Sequence, residues 1–372
     1  DMYDFRSENE RRNSSALDLS LAGRFGAGGL QHDVSLGWLQ SRFTSRFQRQ
    51  AYNWAGTGNI SGLIPTIADP SLTDENTNRD ERSDELYLRD AVQLGTQWQA
   101  WLGLRHTRLE RESVRTDGSR ATHYSQSFTT PWLALGFSFS RQHLIYASWG
   151  RGIESDVVPN RSRYQHAGEA LPALRSEQIE LGLKAGSNLV DWSINTFAIE
   201  RPVWRDIGTC DIDGSCIRKA DGWARHRGIE AQADLKWQGG GLLASAMQLH
   251  ARRAGSADAS LNGLKPANTP ESLLKLQGRQ AVLAGLQLQL GLVHEGPRAV
   301  LPDNSITLPG WTRIDAGARI EQALGRQLLT WRIGVDNLTD RRAWKESPYQ
   351  YEHVYLYPLA PRTWRASLEV QL

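Results

Sequence analysis

Between Trp364 and Leu372 apolar and polar side chains alternate without a break. Trp364, Ala366, Leu368, Val370 and Leu372 fall on one side; Thr363, Arg365, Ser367, Glu369 and Gln371 fall on the other. Successive strand side chains point to opposite faces, so a period of two means a strand with one apolar and one polar face. The same pattern runs through Leu17–Leu21, Val34–Trp38, Trp98–Leu104, Ile179–Leu183, Val190–Ile194, Ile229–Trp237, Leu286–Leu292, Ile314–Ile320 and Leu329–Val335. Adding segments near 85–95, 123–140 and 143–156, and fainter ones at 241–253 and 271–279, predicts about fifteen strands and no amphipathic helix.

The connections carry a second pattern. Short ones (26–29, near 96, 141–142, 186–188, 238–240, 325–327) alternate with longer ones (49–84, 116–122, 157–172, 208–224, 256–270, 302–309, 343–360). A membrane barrel has this asymmetry, with tight periplasmic turns and longer outer loops. Counting back from the last strand puts every long segment on the outer side. Tryptophans follow the same division. Trp98, Trp192, Trp237 and Trp331 lie beside short turns, and Trp38, Trp149, Trp204, Trp223, Trp311 and Trp344 lie toward long loops, as two interfacial belts would require.

Composition fits this reading. A formal net charge of +2 gives no basic field for nucleic acid, and no run nears the roughly 20 apolar residues of a spanning helix. A barrel needs no such run, because its lipid-facing residues are diluted twofold by the lumen face. Propeller-type repeats of 40–45 residues are absent. The two cysteines, Cys210 and Cys216, stand six apart. They read as a small loop disulfide, which would imply an oxidising compartment, in preference to two unrelated thiols. With no His or further Cys at ligand spacing, a metal pair is disfavoured and no metal site is expected.

Several stretches resemble a known family. Val335-Asp336-Asn337-Leu338-Thr339-Asp340-Arg341, followed by Tyr355-Leu356-Tyr357-Pro358 and Pro361-Arg362, is similar to the C-terminus of TonB-dependent outer-membrane receptors of the ferric-siderophore branch. Leu144–Gly152, Ala173–Lys184 and Arg227–Ala231 resemble further segments of the same family, so the likeness covers nearly the whole chain. It implies an all-β, transmembrane antiparallel β-barrel in the bacterial outer membrane. The family's barrel has twenty-two strands behind an N-terminal plug bearing the TonB box. Residues 1–372 therefore read as the C-terminal part of that barrel, about fifteen strands, with no plug domain. The terminal Leu372 departs from the aromatic residue usual there.

The implied function is import of a ferric siderophore, bound at extracellular loops and passed through the barrel by TonB-driven plug movement. Receptors for another metallophore, haem or cobalamin, and a passive porin, are the alternatives. Expected partners are the ferric siderophore, TonB through the missing plug, outer-membrane lipid and lipopolysaccharide, with no nucleic acid and no cofactor. No G-x-S-x-G, H-E-x-x-H, P-loop or Cys–His pair is present, so no enzyme is expected; His226 and His294 read as lumen or loop residues. A bulky, often anionic cargo calls for aromatic faces and cationic donors at the barrel mouth. The candidates are Arg151, Arg161, Arg163 and Tyr164; Arg201, Trp204 and Arg205; and Trp344, Tyr349, Tyr351, Tyr355 and Tyr357. Against this stands the reading that the charged residues solvate the loops or meet lipopolysaccharide phosphates, and that the tyrosines form a girdle.

Overall fold

A computed structural model describes residues 2–59, 63–159, 161–210, 212–350 and 353–371. One antiparallel sheet of fifteen strands dominates it, each strand bonded to its sequence neighbours. In chain order these are β1 (Arg11–Ala27), β2 (Leu30–Arg46), β3 (Thr77–Leu94), β4 (Trp98–Arg115), β5 (Thr122–Ser140), β6 (His143–Glu154), β7 (Leu174–Gly186) and β8 (Val190–Gly208). There follow β9 (Cys216–Trp237), β10 (Gly240–Ala254), β11 (Ser272–Leu283), β12 (Leu286–Glu295), β13 (Trp311–Leu324), β14 (Gln327–Asp336) and β15 (Thr363–Gln371). The sheet is open: β1 pairs only with β2, and β15 only with β14, among the described residues. The only helical element described is a single 3₁₀ turn at Ala259–Leu261, and no helix is long and apolar enough to cross a membrane.

Every tight turn joins an odd strand to the next even one, and every long loop joins an even strand to the next odd one. The first turn shows why two residues suffice: Gly28 and Gly29 both have positive φ (58° and 80°), the condition for a hairpin turn that matches strand twist. The strands run longer than their patterns predict. β3 begins at Thr77, inside a stretch that reads as polar loop, because its charges pair along the strand, as in Arg82–Asp84 at 2.8 Å. Likewise β8 and β9 extend through most of the expected 208–224 loop, leaving a hairpin at 209–215.

The register aligns the apolar rows. Leu21 lies opposite Leu36, Leu36 opposite Leu88, and Leu88 opposite Leu104. At the far side Leu290 faces Ala316, Ile320 faces Trp331, and Trp331 faces Leu368. Apart from the half-buried Ala316 these side chains are exposed, whereas those of the opposite face are mostly half-buried against one another. An exposed apolar face opposite a crowded polar one is the lipid-out, lumen-in arrangement of a membrane barrel. The apolar stripe starts at each tight turn and ends about nine residues away, at Trp38, Leu86, Ile179, Ala198 and Ile229. At about 3.3 Å per residue and a tilt near 40°, that is roughly 20–25 Å of hydrocarbon-facing wall. Beyond it the outward residues become Asp84, Glu177, Glu200 and Arg227, so the upper halves of the strands stand above the bilayer.

Trp98, Trp192, Trp237 and Trp331 sit on the outward face beside tight turns, forming the expected lower belt. The upper belt needs correction. Trp311 is only 4% exposed and lies on the lumen face of β13, one step out of phase with Thr312 and Ile314.

On the lumen face, bulky rings lie flat over glycines of the next strand. A Cβ added at Gly37, Gly103, Gly182 or Gly228 would overlap the ring of Tyr87, Trp132, Tyr146 or Phe197 respectively. The missing side chain is what admits the ring, a device that also pins register. Replacing Gly182 with valine is therefore expected to destabilise the folded form by about 1–3 kcal/mol, read as earlier loss of the heat-modifiable gel band. Two neighbours test the facing assignment. Leu290→Arg, buried in lipid, is expected to cost about 2–4 kcal/mol. Gln289→Arg, one residue away on the lumen wall, should leave urea unfolding nearly unchanged.

Candidate extracellular binding surface

The long loops are built, and their order comes from a few polar side chains. Asn337, fully buried with φ of 52°, ends β14. Its side-chain amide donates to the carbonyls of Arg341 (3.0 Å) and Ala360 (2.9 Å), and its side-chain oxygen accepts from the Arg341 amide at 2.8 Å. Asp340 accepts from the Arg362 amide at 3.1 Å. The Asn-Leu-Thr-Asp motif thus staples the base of the 337–362 loop. Above it, Trp344–Glu346 pairs with Tyr357–Pro358, and Tyr349–Gln350 pairs with His353–Val354. Asn268 ties this loop to two others: its oxygen accepts from the Ser347 amide (2.8 Å) and from Arg298 (3.1 Å). Asn304 bonds the Lys265 amide at 2.8 Å. Three loops form one platform.

On that platform Trp344, Tyr349, Tyr355 and Tyr357 are all exposed, Tyr357 by 53%. Large aromatic rings held in water by ordered backbone favour binding to something else. Tyr351 lies outside the described residues. The structure adds residues the sequence reading did not single out: Tyr52 and Trp54, exposed on a strand (Ala51–Thr57) that pairs with Met2–Ser7. The Tyr52 hydroxyl donates to Asp4 at 3.1 Å, and that carboxylate pushes the phenol's pKa up; Tyr355 adds to the shift from the last loop. Only the Tyr-x-Trp alternation within a Gly- and Pro-rich stretch marks this strand in sequence.

The arginine candidates separate. Tyr164 is 3% exposed, packed with Val158, Ala167 and the bonded pair Cys210–Cys216. Its hydroxyl donates to Asp206 at 2.6 Å, and Arg218 grips the same carboxylate at 2.8 and 3.0 Å. Residues 163–165 run alongside Cys216, whose amide donates to the Arg163 carbonyl at 2.9 Å. This cluster clamps the 155–173 loop onto the disulfide hairpin, and it places Tyr164, expected at the binding surface, inside the clamp. Arg161, by contrast, is exposed in that loop. Arg205 pairs with Asp258 (3.1 Å) and Asp221 (3.6 Å), and Trp204 is half-buried beside it. Arg201 lies on the lumen face and holds Glu154 in a two-pronged pair at 2.8 and 2.7 Å. Arg151 shares the outward face of β6 with Trp149, 5.2 Å from its ring, and so points away from the lumen. His226 faces the lumen from β9, and His294 bonds Thr312 at 2.9 Å on the outward row.

A further feature lies below the loops. On the lumen wall Tyr87, Arg89, Arg105, Arg111, Phe128 and Trp132 line a hollow of about 450 Å³. Arg89 stacks 4.9 Å from the Tyr87 ring, while Arg105 pairs with Glu85 at 3.0 Å. Aromatic faces beside cations suit an anionic, planar cargo. Among the described residues no three His, Cys, Asp or Glu converge as a metal site.

The chain matches the family model described as TonB dependent receptor-like, beta-barrel, over residues 2–338. It belongs to that family. It is accordingly an outer-membrane receptor barrel. A ferrichrome receptor of Yersinia enterocolitica is 24% identical over 94% of this chain and 47% of its own length. A metal-pseudopaline receptor of Pseudomonas aeruginosa is 23% identical over 99% of this chain and 53% of its own. The ferric preacinetobactin receptor of Acinetobacter baumannii superposes with a TM-score of 0.79 at 21% identity, covering 97% of this chain and 54% of that one. The chain spans about half the length of the curated relatives it matches. Those relatives are named as receptors.

The Tyr164 clamp has a pH dependence. Burial pushes the Asp206 carboxyl up, but hydrogen bonds from Arg218 and Tyr164 outweigh it and hold its pKa below the usual range. A depressed carboxyl contributes stability that is full above the unfolded value of about 3.9 and is lost as pH falls through the folded one. Limited proteolysis of the 155–173 loop should stay slow at neutral pH and quicken only below about pH 4. Asp206→Asn should make it fast at both.

Proposed function

We propose that this receptor imports a ferric siderophore or a closely related metallophore. In this reading residues 1–372 form the C-terminal part of a twenty-two-stranded barrel whose plug and TonB box belong to the rest of the protein. The observation that carries it is the rigid platform of exposed aromatics, Trp344, Tyr349, Tyr355 and Tyr357, above a lumen wall bearing Arg89, Arg105 and Trp132. A bulky metal chelate offers apolar rings or alkyl arms for the aromatics and anionic oxygen for the arginines. The iron arrives inside its chelator as cargo, so the wall needs only to bind and release. Movement past the plug would draw on TonB and the proton gradient.

The test uses the full-length receptor encoded by the native gene, a panel of ferric hydroxamate, catecholate and carboxylate chelates, and tryptophan fluorescence quenching. One chelate class should bind. Combining Trp344→Ala, Tyr355→Ala and Tyr357→Ala should weaken it by about tenfold or more, with the heat-modifiable band retained. Iron uptake should vanish without TonB while binding persists. Uptake that continues without TonB would instead fit a passive pore and defeat the reading.

A further inference from the structure

We propose that Asn268, without touching the cargo, positions the aromatic platform of the last loop against the lumen wall and so sets the affinity for the metal chelate. The inference rests on the reading of Trp344, Tyr349, Tyr355 and Tyr357 as the cargo surface.

The link starts on the wall. Glu295 closes β12 on the lumen face, opposite Leu273 of β11 and Trp311 of β13. Its carboxylate holds the guanidinium of Arg298, a residue only 5% exposed. A buried cation needs hydrogen bonds beyond its counter-ion, and Arg298 donates one to the side-chain oxygen of Asn268 at 3.1 Å. The same oxygen accepts from the Ser347 amide at 2.8 Å. One atom of the 255–271 loop thereby joins a charge fixed to the wall with the backbone of the platform. The chain is shaped to hold it there. Asn268 has φ of 56°, a left-handed conformation that asparagine tolerates better than most residues. Its own amide donates to the Ala299 carbonyl at 2.8 Å.

The bond lands at the centre of the aromatic cluster. Ser347 is fully buried between Trp344 and Tyr349, and its hydroxyl has no partner among the described residues, which leaves the amide as its tie to the neighbouring loop. Pro348, next in the chain, has no amide to donate; its carbonyl accepts from the Tyr355 amide at 3.0 Å. Asn268 thus reaches the ring-bearing residues through a single Ser-Pro step. Without its oxygen the buried Ser347 amide would stand unpaired, a condition folded chains avoid, and the tip would leave its seat to find water. The chelate would then meet an ordered platform in only a fraction of molecules, and the apparent affinity would fall by that fraction.

The experiment uses the full-length receptor with ferric hydroxamate, catecholate and carboxylate chelates, read by tryptophan quenching and stopped flow. Hydrogen exchange over residues 343–358 gives a readout that needs no ligand. Asn268→Gly keeps the left-handed backbone and removes the oxygen. It should quicken exchange in 343–358 and weaken the chelate that the wild type binds by about tenfold. The loss should fall on the association rate, whereas a lost contact with cargo would raise dissociation. Asn268→Asp keeps the acceptor and should bind as the wild type does. Added to Trp344→Ala, Tyr355→Ala and Tyr357→Ala, Asn268→Gly should cost less than about a further twofold, because its effect runs through the platform. Unchanged affinity, losses that multiply, a change confined to dissociation, exchange as slow as in the wild type, or an aspartate variant as weak as the glycine one would each overturn the proposal and leave the platform reading standing. If the triple alanine variant binds like the wild type, or no chelate binds at all, the platform reading itself fails and this inference falls with it.

Discussion

Hydrocarbon offers no partner for a backbone amide, so every N–H and C=O that crosses a bilayer must find its bond within the protein. The long antiparallel ladder meets that demand, and the rest of the molecule follows from it. Each strand bonds the next through tight turns below and long loops above. Only β1 and β15 have a whole flank without a ladder partner among the described residues. Long bare edges of this kind invite further strands, in keeping with a chain that spans about half of its relatives. Because the side-chain period is two, the ladder also decides which residues meet lipid. A one-residue slip at Leu286–Leu292 would turn Gln287 and Gln289 outward and move four leucines into the lumen.

The architecture was legible because the barrel writes itself into local pattern. Alternation at Ile229–Trp237 and Trp364–Leu372 marked strands, and the regular succession of short and long connections gave the orientation. Strand ends were less legible, since above the membrane both faces turn polar and period two disappears. Thr77–Asp84 and Cys216–Ala224 were therefore read as loop although they belong to strands. Hydrophobicity marks where lipid is, and it is silent on where hydrogen bonding stops.

The candidate surface was legible in part. The aromatic run in the last loop stands exposed where sequence placed it, and its supporting staple, Asn337 and Asp340, was visible only as a family motif without a physical role. Arg151 and Tyr164 show the limit. A strand residue's facing depends on one step of register, which decides that Arg151 points outward with Trp149. Burial of Tyr164 depends on a hairpin more than forty residues away closing over it. The lumen-wall hollow joins β3, β4 and β5 through pairings such as Tyr87–Arg105 and Gly103–Trp132, which composition cannot foretell.

The glycines beneath the lumen rings have one more consequence. A tyrosine or tryptophan that stood upright from the wall would narrow the bore. Laid across Gly37, Gly103, Gly182 and Gly228, these rings keep their area and surrender little clearance. The inner surface can thus be aromatic and smooth together. Four absent side chains keep this wall low.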